Sequence, residues 1–308
     1  MTARPAPTPA PTPPPTPFDH RMGVFGADDE FVATAVPFLT EGLGAPGEPP
    51  PVAIAAPDRL DLLRDALGGD VKEVALIEHT DWYTGSAANA VAQGAGYLAA
   101  QAGPGGRIHL LMEPVWDGRA GRSARETTEW IRYEALANLL FAPMATTVLC
   151  AYDTRTAGEA IVEAARRAHP ASGVYEDPVR LTAELDAVPL APPAPDAELL
   201  REPYAEAVRS RAVARGLTWV DAELFTEAVT AALGTLGPVT AVRLWGEAPA
   251  CVCELRVARR VGDPLAGFVP PPTPELEPEQ GLWFTRQVCA YVDVRDDEHG
   301  ATVRLQYG

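Results

Sequence analysis

At 308 residues, and with domains running to about 150 residues each, the chain has the length of two globular units. Its formal charge of −17 and pI near 4.7 oppose a phosphate backbone or an anionic bilayer, so neither nucleic acid nor a membrane surface is expected as a partner. There is no run of about 18 apolar residues and no basic-then-apolar leader at the N-terminus, which points to a cytoplasmic protein.

Residues 3–17, ARPAPTPAPTPPPTP, alternate proline with small residues and cannot bury apolar surface. They read as a disordered polyproline II arm, 1–17, serving as a spacer. From Phe18 the pattern turns globular. MGVFG, PVAIAAP, EVALIEH, RIHLLMEP and TTVLCAYD are short runs rich in Val, Ile and Leu, separated by helical stretches, which is the pattern of an α/β unit on a mainly parallel sheet. The intervening helices are expected over Asp28–Leu43, Arg125–Phe141 and Thr156–His169, the last stopped by Pro170. The only lysine, Lys72, has no glycine-rich phosphate loop before it and reads as a solvated charge. This first unit is taken as 18–187. VPLAPPAP, 188–195, is proline-dense and reads as a linker.

The second unit, 196–308, begins with helices over Pro203–Arg215 and Trp219–Leu233. Paired strands TAVRLWGE and ACVCELRVAR follow, then a proline-rich loop, a short helix GLWFTRQVCAYV, and a terminal strand pair turning at His299 and Gly300. Helices on one face of an antiparallel or mixed sheet make this unit α+β.

Scans for chemistry return little. No GxSxG, HExxH, EF-hand loop or strand-linked GxGxxG occurs, and the five histidines are scattered. Cys150, Cys251, Cys253 and Cys289 are too few and too irregularly spaced for a disulfide framework or a zinc site, so they read as reduced, mostly buried thiols and no metal is expected. The densest polar cluster lies between His109 and Asp153. Glu113 ends a strand, with Trp116, Asp117 and Arg119 in the loop behind it, where α/β sheets bind ligands. The helix that follows places Glu126, Trp130, Glu134 and Asn138 on one face, opposite Ile131, Ala135 and Leu139. That polar face is either solvated or a pocket wall, and spacing favours solvated.

EPVWDGR, Glu129, YEALANLLFA, LCAYD and AARRAHP, together with the entry HRMGVFGADDEFVATAVPFLTEGL, resemble the MEDS domain, a sensory module of bacterial regulators. The resemblance covers about residues 18–175. It departs at Tyr133, where the family usually has His, and at Ala151, where it usually has Pro. It implies a degenerate RecA-like core that senses small molecules without established catalysis. Glu113, Arg119, Glu134, Asn138, Tyr152 and Asp153 fall on its signature positions and, with Trp116, are the ligand-binding candidates.

AVRSRAVARGL, TEAVTAALG, VTAVRLWGEAPACVCELRV, DPLAGFVPPP, EQGLWFTRQVCAYVDV and GATVRLQYG resemble the small GHKL-type (Bergerat-like sandwich) ATPase domain of bacterial anti-sigma serine kinases. Set against that family's boxes, Glu227 remains but Ala231 replaces the Mg²⁺-holding Asn, Val257 and Arg259 replace the adenine-binding Asp and Gly, and Glu279 stands at the head of the third box. Asp263, Gly281 and Leu282 persist as remnants. A valine accepts no hydrogen bond from adenine, a loss of about 1–3 kcal/mol, and the arginine fills nucleotide space. The resemblance therefore implies a pseudo-ATPase without cofactor, Glu227 being vestigial and no residue catalytic, that binds a sigma factor or an anti-sigma antagonist, with a homodimer possible through this domain. Arg209, Arg211 and Arg215 are the partner-binding candidates, arginine being favoured at interfaces. The alternatives are an active kinase using Mg-ATP, or a small-molecule sensor or enzyme centred on the first unit.

Overall fold

The structure, a computed structural model, describes residues 18–83, 87–101, 107–115, 124–269, 271, 277 and 280–308. The proline arm, Trp116, Asp117, Arg119, Glu279 and part of the loop before residue 280 lie outside the described residues.

The first unit places each apolar run in one parallel sheet. β1 (Phe18–Phe25), β2 (Val52–Ala55), β3 (Ala75–Glu78), β4 (Ile108–Met112) and β5 (Thr146–Asp153) lie in the order β1-β5-β4-β2-β3. Every residue of β5 and β4 is buried, as expected of central parallel strands covered on both faces. One face is covered by α1 (Asp28–Leu43) and α2 (Pro57–Leu67) through Phe31, Phe38, Leu39, Leu60 and Leu63. The other is covered by α4 (Ala87–Gln101), α5 (Ala124–Leu140) and α7 (Glu159–Ala168), which follow the single turns α3 (His79–Trp82) and α6 (Thr154–Ala157). The helix read over Thr156–His169 is therefore two. Gly158 between them has φ 75°, a left-handed conformation that the α6–α7 break requires and that glycine adopts without strain. α8 (Pro178–Asp186) then packs behind α5 through Leu181, Ala135 and Ala168. Lys72 is exposed, the solvated charge expected from the sequence.

The second unit is an antiparallel sheet, β6 (Glu198–Leu199), β7 (Val239–Trp245), β8 (Val252–Val257), β9 (Tyr291–Asp297) and β10 (Gly300–Gln306), ordered β6-β7-β8-β10-β9. α9 (Tyr204–Ala214), α10 (Trp219–Leu236) and α11 (Gly281–Val288) lie on one face, burying Val208, Phe225, Val229 and Leu236 against Leu244, Leu255, Val303 and Leu305. The α+β expectation holds for this unit. All four cysteines are free and buried.

The opposite face of that sheet carries a row of charges in register. Arg243 lies across from Glu254, Glu254 from Arg304, and Arg304 from Asp293. Arg304 Nη2 donates to Glu254 Oε2 at 2.6 Å and Arg243 Nη1 to Glu254 Oε1 at 3.4 Å. Arg125 of α5 completes the row by pairing with Asp293, donating to Gln306 at 2.8 Å and lying 4.1 Å over the Tyr291 ring. The two units are also joined by Phe268, which packs into the apolar cluster of the first unit, and by Asp186, which takes both Arg132 and Arg295. The stretch 188–195 has no helix or strand, yet it is tied down: its Val188 and Ala191 carbonyls accept from Arg295 and Arg304. Among the described residues no helix is long and apolar enough to cross a membrane.

Candidate functional site

The residues singled out from the sequence separate into two groups about the first sheet. At the C-terminal ends of β4 and β5, Glu113 and Asp153 meet Arg59 of α2. Arg59 Nη2 donates to Asp153 at 2.9 Å, Nη1 to Asp28 at 3.0 Å, and Nε lies 3.7 Å from Glu113. Glu113 also accepts from the Ala56 amide at 2.9 Å, at the N-terminus of α2. Burial raises its carboxyl above the ordinary range, opposed by that amide and by Arg59. Asp153 caps α6 by accepting from the Arg155 amide and is gripped by the Arg155 and Arg59 guanidinium groups, which outweigh burial and hold it below the ordinary range. This edge is a closed circuit of fixed charges.

The second group lies deeper, between the sheet and α5. Glu134 and Asn138 point at β1 and β5, so the α5 face carrying them is not solvated: Glu134 is 4% exposed and Trp130 5%. The correction has a simple cause. α5 is sandwiched, with the sheet on one side and α8 behind it, so Ala135 of its apolar stripe packs on Leu181 of α8 while its polar face is turned inward.

There Glu134 meets three residues that sequence spacing did not connect. Its Oε2 lies 3.6 Å from His20 Nε2, 3.9 Å from His169 Nε2 and 3.9 Å from Cys150 Sγ, and Cys150 Sγ lies 3.4 Å from His20 Nε2. The two imidazole rings lie 4.1 Å apart, tilted by 40°, and Tyr152 meets His169 edge-on at 5.9 Å. The outer nitrogens are committed elsewhere. His169 Nδ1 sits 2.7 Å from the Ala165 carbonyl, which can only accept, so Nδ1 carries the proton. Asn138 spends its amide N–H groups on the carbonyls of Ala168, Glu134 and Ala135, leaving Oδ1 to accept from His20 Nδ1 at 3.1 Å. Both Nε2 atoms thus offer lone pairs to the centre of the cluster, and His169 Nε2, fully buried, finds no hydrogen-bond partner there.

Electrostatics follow from this burial. Desolvation, then the neighbouring His20, lowers His169 to about 4, so it is neutral at pH 7. Burial, then the Glu134 charge, pushes the Cys150 thiol well up. Burial pulls Glu134 upward, but His20 and His169 outweigh it and keep the carboxyl below its ordinary range. Among the described residues its ion pairs run only to histidines. Beside the cluster is an enclosed cavity of about 20 Å³, room for about one water, walled by His20, Glu134, Cys150, Tyr133, Trp82 and Phe141.

Comparison with known families decides what this unit resembles. Residues 19–170 match the MEDS family, the MEthanogen/methylotroph, DcmR Sensory domain. No curated protein and no solved structure gives a match. The match spans the first sheet from Asp19 onward and takes in all four clustered side chains. Within the matched residues Tyr133, which stands where the family usually has His, is a wall of the cavity, and burial raises its phenol well above the ordinary range. Glu134, Asn138 and Tyr152 thus gather at one site and Glu113 and Asp153 at another. His20, Cys150 and His169 were missed as site residues, although HRMGVFG, LCAYD and AARRAHP each contain one of them.

In the second unit the residues singled out from the sequence lie on or beside α10 and α11. Glu227 is exposed on α10. Gly281 is pressed against α10 so closely that a Cβ would come within 2.1 Å of the Ala231 carbonyl oxygen, so the two residues make a helix–helix contact. Asp263 and Leu282 line a surface cavity of about 440 Å³ with Arg259, whose Nη2 donates to the Thr235 carbonyl. The candidate partner arginines are occupied within the fold: Arg209 by Glu223, Arg211 by Glu198, and Arg215 by Asp196 and Glu198. Close by, Trp219, Val220 and Leu224 are exposed at the start of α10.

Proposed function

We propose that this protein is a sensor-regulator in which the MEDS unit binds a small molecule beside the His20–Glu134–Cys150–His169 cluster and the second unit carries the signal to a protein partner. The observation that carries this reading is the buried, convergent polar cluster opening onto an enclosed cavity at the heart of the MEDS match. Aromatic walls with a few placed polar groups are the usual make-up of a small-ligand site. The cavity suits a ligand of only a few heavy atoms, admitted by adjustment of Trp82, Tyr83 and Tyr133. The direct contacts across Arg125, Asp186 and Phe268 give such binding a route to the second unit.

The experiment is a thermal-shift panel of small alcohols, aldehydes, amines and carboxylates on the full chain, repeated with Ala137→Leu, which fills the cavity. A ligand whose stabilisation disappears in Ala137→Leu supports the reading. Shifts identical in both proteins, or none across the panel, overturn it.

The finer identities belong to the same proposal. We take the parallel sheet as a RecA-like core, and the second unit as a GHKL-type domain that has become a pseudo-ATPase, acting in anti-sigma-type control by binding a sigma factor or its antagonist. The Gly281–Ala231 contact, the exposure of Glu227 and the presence of Arg259 in the cavity lined by Asp263 and Leu282 favour loss of catalysis over an active kinase. Calorimetric titration with Mg-ATP tests this. No heat of binding at millimolar nucleotide is expected, whereas micromolar binding abolished by Glu227→Ala restores the kinase reading.

A further inference from the structure

We propose that His20, Glu134, Cys150 and His169 are the four ligands of a divalent transition-metal site of the zinc class. The inference goes beyond small-molecule sensing and does not depend on it, since a metal held here could be structural or could itself receive the ligand.

Geometry carries the argument. One donor atom from each residue can be chosen so that all lie within 4.8 Å of one another, and four of the pairs are 3.4–3.9 Å apart. Ligand atoms about 2.0–2.3 Å from a tetrahedral ion lie about 3.3–3.8 Å from each other, so the cage needs only a slight contraction to close. The donors arrive from four separate elements, β1, α5, β5 and the end of α7, which fixes their directions through the backbone rather than through flexible side chains.

The surrounding hydrogen bonds point the same way. Metal-ligating imidazoles hand their other N–H to a carbonyl, amide or carboxylate, which sets the tautomer. Here the Ala165 carbonyl does so for His169 and Asn138 Oδ1 for His20, leaving both Nε2 lone pairs inward. A purely structural cluster does not explain the lone pair of His169 Nε2, which is buried and unpartnered. Nor does it supply a fixed cation to the buried Glu134 carboxylate, whose ion pairs among the described residues run only to His20 and His169, and a buried charge without a fixed counter-charge is costly. A dication supplies what is missing. With Cys150 deprotonated on binding and its proton released to solvent, thiolate, carboxylate and M²⁺ sum to zero. One sulfur and two imidazoles select a borderline ion such as Zn²⁺ over Mg²⁺ or Ca²⁺.

The test uses untagged full-length protein stripped with a chelator and titrated with Co²⁺, followed by Zn²⁺. The site predicts one Co²⁺ per chain, the intense visible spectrum of a tetrahedral ion with a thiolate charge-transfer band, and its displacement by one equivalent of Zn²⁺. Cys150→Ser abolishes that band, whereas Cys289→Ala, in the second unit, keeps it. Asn138→Leu, altering a positioning residue, keeps the band and weakens affinity by about 10- to 100-fold. Should Cys150→Ser fail to fold, loss of the tetrahedral spectrum in His169→Gln gives the same information. A folded wild-type chain that shows no tetrahedral spectrum overturns the proposal. So does weak, multiple, octahedral binding indifferent to Cys150→Ser, the behaviour of surface carboxylates on an acidic protein. Because only metal is read, failure here leaves the small-molecule panel standing, and the reverse holds.

Discussion

The two units bury ionisable groups to the same depth and to opposite effect. On the outer face of the second sheet, Glu254, Arg304 and Asp293 are 5%, 9% and 6% exposed, and each carboxylate faces a permanent guanidinium. In the first unit His20, Glu134, Cys150 and His169 are as deeply buried, at 4%, 4%, 4% and 0%, yet the carboxylate meets only groups that can be neutral. A closed row of fixed charges needs nothing further and holds two units together. A cluster of inward imidazole lone pairs around a carboxylate that faces no fixed cation has room for one positive charge more. Depth of burial does not separate structure from function here; charge balance does.

That contrast is sharpest under mutation. Glu254→Ala leaves Arg304 without its buried counter-charge, and urea denaturation is expected to show a loss of about 3–5 kcal/mol. The cluster in the first unit responds to supply rather than removal: Zn²⁺ at about 100 times its dissociation constant adds about 2.7 kcal/mol to the unfolding free energy, read as a rise in melting temperature that a chelator reverses. Arg125→Met breaks the pairing with Asp293 across the two units. Because Arg125 is partly solvated and Arg295 remains 3.7 Å from Asp293, the cost is expected at about 1 kcal/mol in the same denaturation assay. The smallest effect is the most telling. In metal-free protein, Glu134→Gln removes a carboxylate that lacks a fixed cation, so stability changes by less than about 1 kcal/mol in either direction, while the Zn²⁺-dependent rise vanishes. If Glu134→Gln instead cost as much as Glu254→Ala, the distinction between the two regions would collapse.

Much of the fold was legible because the apolar runs were long enough to name every strand but the two-residue β6, as TTVLCAYD does for β5 and ACVCELRVAR for β8. The end of α1 at Gly44 and the stop before Pro170 were equally plain. The site was not. His20 and Cys150 are 130 residues apart in the chain, and Cys150 and Glu134 are 16 apart, so a search for ligands at local spacing cannot join them. Register does: β1 lies beside β5 with His20 across from Val148 and Met22 across from Cys150. The face of α5 was misjudged because its second neighbour, α8, was not read from the sequence. A helix between two layers has no solvated side, whatever its hydrophobic pattern suggests. The stretch 188–195 reads as a spacer by composition, while its backbone carbonyls anchor two arginines of the second sheet.

The central claim, that the buried cluster of the first unit is a binding site and not a structural charge network, is tested most directly by X-ray absorption at the zinc edge on the full chain loaded with one equivalent of Zn²⁺. A four-coordinate shell with one sulfur at about 2.3 Å and nitrogen or oxygen at about 2.0–2.1 Å is the predicted result. A sulfur-free shell of five or six oxygens would contradict it.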